Sequence, residues 1–241
     1  NITDIEANSI QGIQVFNAGN EITGIEIQSN SVENITYEGS SQAPSGDFGT
    51  DYGNLYGIHV QGEIGNTVVE ENTIRNLTSG GYTLATAVSG TDSDVTANPE
   101  EIVIKGNIYE NLNAKALPAT AFRISGDKVN ATNVQVSNNS INAPVGVSNG
   151  ASENLNATSN WWGSQNGPAA GTNTYNDTSQ GAVVSGSVEF TPWLNASTDN
   201  DGQPFAPVTN GSEGQFTSIQ AAVDAADTDD NIEVESGTYN E

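Results

Sequence analysis

Few side chains in this chain could activate a nucleophile or bind an anionic substrate. There is one histidine, His59, and there are five basic residues: Arg75, Lys105, Lys115, Arg123 and Lys128. A lyase that acts on an acidic polysaccharide needs cations to bind the uronate and a base to remove its proton, so these groups are scarce. His59 alternates with Ile58 and Val60 along a predicted strand, and we expect its ring to face away from theirs, toward solvent. A single outward histidine forms neither a catalytic triad nor a transition-metal site.

A glycoside hydrolase would need two carboxylates about 5–10 Å apart, at least one of them with a shifted pKa. The adjacent pairs Glu70–Glu71 and Glu100–Glu101 do not supply this by spacing alone, although stacked strands could bring distant carboxylates together. We therefore expect a protein without enzymatic activity. The alternative is a carbohydrate-binding or carbohydrate-processing protein whose site is built by long inserted loops.

Calcium is the one cofactor that the composition leaves open. The chain has no cysteine and no methionine, which excludes disulfides, zinc-thiolate sites and soft copper sites. Asp199 and Asp201 lie in an Asp-Asn-Asp-Gly turn that has the form of a partial calcium loop. The distal bidentate glutamate of a complete loop is missing, so a solvated turn is the other interpretation.

The charge of the chain is strongly acidic. Asp and Glu number 30 against 5 Lys and Arg, which gives a net charge of -25. So few cations exclude nucleic acid as a partner, because binding it requires cations that replace phosphate counterions. Anionic membranes are excluded on the same ground. Because the acids are scattered, we favour the solvated surface of a halophilic protein over a cation-binding surface, since high salt screens the self-repulsion.

Several features favour an extracellular or cell-surface location. No apolar run approaches the roughly 18–20 residues that span a bilayer, so no membrane insertion is expected. The absence of an initiator methionine and of a signal peptide predicts a mature or internal segment. Asn-x-Ser/Thr sequons are somewhat more frequent than chance and predict surface N-glycosylation. They begin at Asn1, Asn34, Asn76, Asn130, Asn138, Asn156, Asn176, Asn195 and Asn210.

A repeat organises residues 1–162. Its unit is an alternating apolar strand, an asparagine, and a second short apolar strand, with the asparagine at Asn8, Asn30, Asn72, Asn107, Asn139 and Asn160. Alternation predicts strands with one face inward, and a period of about 20 residues predicts a solenoid of stacked parallel strands. We expect the asparagines to form a structural ladder, because asparagine tolerates the left-handed angles of a sharp turn and stacked amides bond to one another.

A second recurrent strand and several insertions fit between these repeats. The strand recurs as Gly12-Ile-Gln-Val15, Gly57-Ile-His-Val60, Ala121-Phe-Arg-Ile124 and Val145-Gly-Val147. Where the asparagine spacing exceeds about 22 residues, the excess predicts inserted loops, at residues 40–54, 79–99 and 111–120.

The segment Asn160-Trp-Trp-Gly-Ser-Gln-Asn-Gly-Pro168 ends the repeat. Two adjacent tryptophans, Trp161 and Trp162, suit a cap that covers the open core of a solenoid, and a platform for sugar rings is the alternative. The motif resembles the Asn-Trp-Trp-Gly…Gly-Pro signature near the C-terminal end of surface β-helix proteins of archaea and some bacteria. Residues 183–194 resemble the closing strand that follows it.

The C-terminal segment resembles the N-terminal cap of a right-handed parallel β-helix of the pectate-lyase-like superfamily. Residues 216–227 have the pattern of a short amphipathic helix, and residues 231–241 read as a strand followed by a Gly-Thr-Tyr-x-Glu turn. The fold class expected from both resemblances is mostly β: a right-handed parallel β-helix with a short helical N-terminal-cap segment at the C-terminal end. The expected domains are coils over 1–194 with a C-terminal cap around 160–194, a linker over 195–215, and a next-unit cap over 216–241.

This order of segments predicts that the chain assembles with copies of itself. Glycans are further candidate partners. In such a fold the turn before Glu241 would lead into sequence like that which begins at Asn1, so the chain has the form of one period of a head-to-tail fibre. The helix has an apolar stripe without an evident partner in its own segment, and the first coil has no evident cap. The expected interface consists of Asn1, Ile2, Ile5, Ile10, Phe216, Ile219, Val223, Tyr239 and Glu241.

Overall fold

The computed structural model describes residues 9–37, 54–90, 100–125, 129–173, 180–205, 207–216 and 218–234. Over these ranges the chain is mostly β, and its larger sheets are parallel. The mostly-β class predicted from the alternating sequence is confirmed. The predicted parallel stacking of the repeated apolar positions is also found.

The first fourteen strands belong to two parallel sheets. They are β1 (Ser9–Gln28), β2 (Ser31–Tyr37), β3 (Asn54–Glu70), β4 (Thr73–Ser79), β5 (Thr83–Ser89), β6 (Glu100–Lys105), β7 (Ile108–Ala114), β8 (Thr120–Ser125), β9 (Val134–Ser137), β10 (Ser140–Asn142), β11 (Val145–Asn149), β12 (Leu155–Asn156), β13 (Val183–Ser185) and β14 (Val188–Glu189). The ten-stranded sheet has the order β13-β11-β8-β5-β3-β6-β9-β12-β14, with β1 on β3, and the four-stranded sheet has the order β10-β7-β4-β2.

The strands recur in sets of three segments, and each segment pairs in parallel with its counterpart in the next set. The first half of β1 pairs with the first half of β3, and the second half of β1 pairs with the second half of β3. Strand β2 pairs with β4. The two halves of β3 and strand β4 pair in turn with β5, β6 and β7, respectively. Strands β5, β6 and β7 then pair with β8, β9 and β10, respectively. The long strands β1 and β3 therefore each belong to two ladders of the larger sheet.

The hydrophobic core lies between these rows of paired parallel strands. Ile27, Val69, Ile104 and Val136 face one another in register and are all buried. Each lies three residues before one of the repeated asparagines, in the strands whose stacking the repeat predicts. Alternation explains the arrangement, because every second side chain of a strand points to the same face.

Two glycines at equivalent positions of the paired strands β1 and β3 have no room for a side chain. A Cβ placed on Gly57 would lie 2.4 Å from the backbone oxygen of Ala85 and 2.8 Å from the Ile74 side chain. A Cβ on Gly12 would meet Gly57 and Val32 in the same way. A larger side chain at either glycine would collide with the backbone of the neighbouring paired strand and with a side chain of the four-stranded sheet.

The expected loops are shorter than their spacing suggested. Strand β5 lies inside the segment 79–99 that was expected to be a loop, and β7 takes in the first residues of the segment 111–120. Residues 40–53 and 91–99 of the other insertions lie outside the described ranges. The insertions thus retain the repeated strand and add residues beside it.

Residues 195–205 and 207–215, within the segment expected to be a linker, contain short strands and a 3-10 helix. Strand β15 (Trp193–Leu194) pairs antiparallel with β16 (Pro204–Phe205), and β17 (Val208–Asn210) pairs antiparallel with β18 (Gly214–Phe216). Helix α1 (Ile219–Ala225) follows, and β19 (Ile232–Val234) pairs with β17. The Oγ of Ser218 accepts a hydrogen bond from the Ala221 N–H and caps the helix. The helix packs on these strands and buries Ala222, so its apolar stripe does have a partner in its own segment.

No helix in the described part of the chain is long and apolar enough to cross a membrane.

Replacing Gly57 by alanine should destabilise the fold. The added Cβ collides with backbone, so we expect a loss of about 1–3 kcal/mol in the free energy of unfolding. Gly171→Ala is the matched control, because a Cβ there meets nothing within 4 Å. Urea denaturation of both variants measures the difference, and equal stabilities would contradict the close approach at Gly57.

Candidate functional site

Five of the six predicted ladder asparagines form one hydrogen-bonded row. The backbone N–H and the Nδ2 of each residue both donate to the Oδ1 of the next, at 2.9–3.0 Å, from Asn30 through Asn72, Asn107 and Asn139 to Asn160. The last four have no exposed surface, whereas Asn30 is half-buried. Asn8, predicted to begin the row, lies outside the described residues.

Each buried ladder amide also bonds backwards to the core strand of the preceding set. The Nδ2 of Asn72 donates to the Ile27 carbonyl at 2.8 Å, and the Nδ2 of Asn107 donates to the Val69 carbonyl at 2.9 Å. Asn139 and Asn160 repeat this toward Ile104 and Val136. A buried amide without such partners would cost stability, so these bonds link three successive sets.

The left-handed backbone angle falls on the residue before each ladder asparagine, and not on the asparagine as expected. These residues are Ser29, Glu71, Gly106, Asn138 and Ser159, with φ between 54° and 66°. The ladder asparagines are absent from the positive-φ residues of the described chain. Their selection therefore follows from the hydrogen bonds of the amide and not from backbone tolerance.

A second, exposed ladder was missed by the sequence analysis. The Nδ2 of Asn76 donates to Asn34 Oδ1 at 3.0 Å, and the Nδ2 of Asn111 donates to Asn76 Oδ1 at 3.1 Å. All three residues have positive φ, where asparagine is favoured over most other residues. The signal was present as an asparagine four residues after Asn30, Asn72 and Asn107.

The sequons differ in accessibility. The exposed asparagines are Asn34, Asn76, Asn138 and Asn156. Asn130 and Asn195 are half-buried, while Asn1 and Asn176 lie outside the described residues. Asn210 is fully buried, and its Nδ2 donates to Asp230 Oδ2 at 3.0 Å. The prediction of a surface glycosylation position is therefore wrong at Asn210.

The tryptophan pair divides between the core and the surface. Trp162 is fully buried, and its ring fills the space that a Cβ on Gly146 would enter. Trp161 is half-buried and lines a groove of about 740 Å³. Successive side chains of an extended segment point to opposite sides, so one tryptophan covers the core and the other faces outward.

His59 is buried, so the prediction of a solvent-facing ring is wrong. Its Nε2 lies 2.9 Å from Ser89 Oγ and its Nδ1 lies 3.3 Å from Gln11 Oε1. Tyr56 stacks on the ring with 4.6 Å between centroids. Burial lowers the pKa of His59 to about 4, and burial raises the pKa of Tyr56.

The Ser89–His59 contact has the form of a nucleophile and a base, but its third member differs from that of a triad. An amide oxygen, that of Gln11, faces Nδ1, where a carboxylate would stabilise the imidazolium that forms during catalysis. A ring whose pKa is about 4 is also a weak base. The arrangement therefore favours a structural hydrogen-bonded histidine over an activated serine.

Two of the basic residues are paired with acids of a neighbouring strand. Arg75 Nε lies 2.9 Å from Glu33 Oε2, and Lys105 Nζ lies 2.7 Å from Glu70 Oε2. The hydrogen bond to Glu70 raises the pKa of Lys105. In the described register, no acidic side chain stands directly opposite another on a paired strand, so like-charge repulsion across the sheets is avoided.

The calcium candidates Asp199 and Asp201 lie exposed in and beside a short 3-10 helix, Thr198–Asn200. No group of three or more His, Cys, Asp or Glu in the described ranges could hold a metal ion. Asp201 has φ 52°, so it serves as the left-handed end of this turn. Among the described residues, no third carboxylate joins Asp199 and Asp201.

The predicted assembly residues are only partly described. Ile10 is half-buried against the core, Phe216 and Ile219 are half-buried, and Val223 is 49% exposed. Asn1, Ile2, Ile5, Tyr239 and Glu241 lie outside the described residues. The structure therefore describes part of each predicted face.

No family model, curated protein or solved structure matches this chain in the comparisons made with them.

Replacing Asn107 by alanine should be strongly destabilising. The Asn72 N–H then loses its acceptor, and the Asn72 amide, the Asn139 oxygen and the Val69 carbonyl each lose one hydrogen bond in a buried row, so we expect a loss of about 2–4 kcal/mol. Asn30→Ala is the control and should cost about 1 kcal/mol, because water reaches this half-buried rung. Chemical denaturation measures both losses, and equal effects would show that burial of the row does not set its contribution.

His59 should make the protein less stable in mild acid. Its pKa falls from 6.5 in the unfolded chain to about 4 in the folded one, so the unfolded chain binds the extra proton between these values. Stability is present in full above pH 6.5 and is lost as the pH falls, by about 2 kcal/mol at pH 5. His59→Gln, which has no titrating group, should lack this component. Thermal or urea unfolding of both proteins at pH 7.5 and pH 5 tests it, and identical pH dependences would contradict it.

Proposed function

We propose that this chain is a right-handed parallel β-helix that serves as a structural module of the cell surface. In this proposal it stacks head to tail on copies of itself, either as a filament or as a tandem-repeat fibre, and it is adapted to high salt. It has no catalytic role. The resemblance of residues 160–168 to surface β-helix proteins, and of residues 216–241 to the N-terminal cap of a pectate-lyase-like β-helix, motivates the proposal.

The repeated sets of three segments support the solenoid. Each segment pairs in parallel with the same segment of the next set, and a buried asparagine row follows the same order. Parallel strands joined through a crossover are right-handed in about 98% of cases, which supports the proposed hand. A fold with a continuous core and ladder through every set suits a load-bearing or spacing element.

The charges support a non-catalytic surface. Arg75 and Lys105, the cations nearest to the repeated asparagines, are each held by a carboxylate of the neighbouring strand. Thirty acids against five basic residues give a surface that high salt would stabilise by screening. Exposed sequon asparagines, such as Asn76 and Asn156, fit an extracellular location.

The observation that carries the assembly proposal is the edge of the first set that no described strand covers. Among the described strands, β1 pairs with β3 alone and β2 with β4 alone. Strand β1 also exposes Phe16 and Ile22. A long edge with exposed apolar side chains readily accepts a further strand or a covering element.

A complementary apolar face lies in the C-terminal segment. Helix α1 exposes Val223 and strand β19 exposes Val234, at 49% and 42%. Together with Phe16 and Ile22 they are four of the six large hydrophobic side chains exposed in the described chain. A contact between two different faces is heterologous, so it builds an open filament unless it closes into a ring.

Two variants that each disable one face should prevent assembly separately and restore one contact together. Phe16→Lys places a charge on the β1 edge and Val223→Lys places one on α1, so each alone should be monomeric. An equimolar mixture should form dimers, because each protein keeps the face that the other has lost. Analytical ultracentrifugation in molar salt measures the species.

Leu117→Lys is the matched control, because Leu117 is exposed to a similar degree but lies away from both faces. This variant should assemble like the unaltered chain. A monodisperse monomer of the unaltered chain at every concentration would contradict the proposal. A mixture of the two face variants that stays monomeric would also contradict it.

A further inference from the structure

The groove beside Trp161 differs in character from the rest of this acidic molecule. Its lining consists of Trp161, Gly163, Ser164, Gln165, Gln180, Gly181, Asn195, Ala196, Ser197 and Asn200. Although the chain has a net charge of -25, no lining residue carries a charge. One aromatic face and several amide and hydroxyl groups therefore meet in one concave surface.

The aromatic wall is held rigidly. Trp161 follows the last ladder asparagine, Asn160, and its backbone N–H donates to the Asn139 carbonyl at 2.9 Å. Its carbonyl accepts from the Ile141 N–H at 2.8 Å. Because the backbone is fixed on both sides, only the side-chain torsions of Trp161 remain to be ordered when a ligand packs on the ring.

The opposite wall is fastened to the same rung. The Thr198 N–H donates to Ser140 Oγ at 2.8 Å, which ties the turn 195–200 to strand β10. The Asn195 Oδ1 accepts from the Gln203 N–H at 2.9 Å, and the Asn200 Nδ2 donates to Ser197 Oγ at 2.6 Å. The groove thus has two preformed walls, and its 740 Å³ lies within the range of about 300–1,000 Å³ typical of small-molecule sites.

We propose that this groove binds a neutral saccharide, with one sugar ring packed on the face of Trp161. The apolar face of a pyranose suits an indole ring, and its hydroxyls suit amides that both donate and accept, such as Gln165 and Asn200. An acidic saccharide is disfavoured, because no cation lines the groove and the surrounding charge is negative.

Two sources of such a saccharide are compatible with the lining. The sequon Asn195-Ala-Ser197 lies wholly within it, so an N-linked glycan on Asn195 would begin inside the groove. The Asn195 Nδ2 forms no hydrogen bond within the described chain, and the fixed Oδ1 sets its direction. The other source is a separate glycan, from a neighbouring molecule or a surface polysaccharide.

The first experiment uses the full chain from a host without N-glycosylation. Intrinsic tryptophan fluorescence is titrated with neutral hexasaccharides of glucose, mannose and N-acetylglucosamine, and with hexagalacturonate as the acidic control. Trp162 and Trp193 are buried, so a change on binding reports mainly on Trp161. We expect saturable binding of at least one neutral sugar, and at least tenfold weaker binding of the acidic one.

Three variants separate the groove from other surfaces, with binding followed by calorimetry. Trp161→Ala should weaken binding at least tenfold, and Asn200→Ala, at an exposed position, should weaken it severalfold without affecting the fold. Leu117→Ala removes another exposed apolar side chain, one that does not line the groove, and should leave the affinity unchanged. Equal affinity in the unaltered chain and in both groove variants would overturn the proposal.

The second experiment distinguishes the two sources. The chain is produced in an N-glycosylating host, and occupancy of Asn195 is read by peptide mass spectrometry. If the linked glycan fills the groove, free sugars should not titrate, and enzymatic removal of the glycan should shift the emission of Trp161. Asn195→Gln should abolish that shift. The proposal is overturned if no neutral sugar titrates the unglycosylated chain and glycan removal leaves the emission unchanged.

Discussion

The parallel stacking of this chain depends on the buried asparagine row. In each rung an amide oxygen accepts two hydrogen bonds from the rung before it, and an amide nitrogen donates to a core-strand carbonyl. These groups are sealed from water between Asn72 and Asn160, so each bond must be made within the protein. A rung shifted by one residue would leave several of them unpaired. The row therefore fixes the register that the apolar columns alone would leave less strongly specified.

That register positions the other features. It places Ile27, Val69, Ile104 and Val136 in one buried column, and it sets Lys105 beside Glu70 on the outer face. The asparagine row ends next to Trp161, whose backbone N–H donates to the Asn139 carbonyl. The groove is consequently built beside the buried end of the asparagine row, where both of its walls are hydrogen-bonded to the strands of the parallel sheets.

The sequence predicted the features that a recurring side chain marks. It missed the features that only a recurring backbone angle marks. The ladder could be found because one residue type returns with the same apolar flanks. The left-handed position before it is occupied by Ser29, Glu71 and Gly106 in successive rungs, so no shared side chain marks it. Residues 195–215 resembled a linker because their strands have only two or three residues between turns, too few to show alternation. The burial of His59 depends on Gln11 and Ser89, which are distant in sequence.

The amide row has a direction. From Asn30 to Asn139 each residue donates to the amide oxygen of the next, and within the described chain nothing donates to the Asn30 oxygen. The aligned amide dipoles add along the row, as peptide dipoles do along a helix, and neighbouring bonds polarise one another. The row therefore presents an acceptor at its first rung. Only a hydrogen-bond donor can extend the row at Asn30. A second row of the same kind would therefore continue the first one in the same orientation. In the reverse orientation, its amide dipoles would oppose those of the first row.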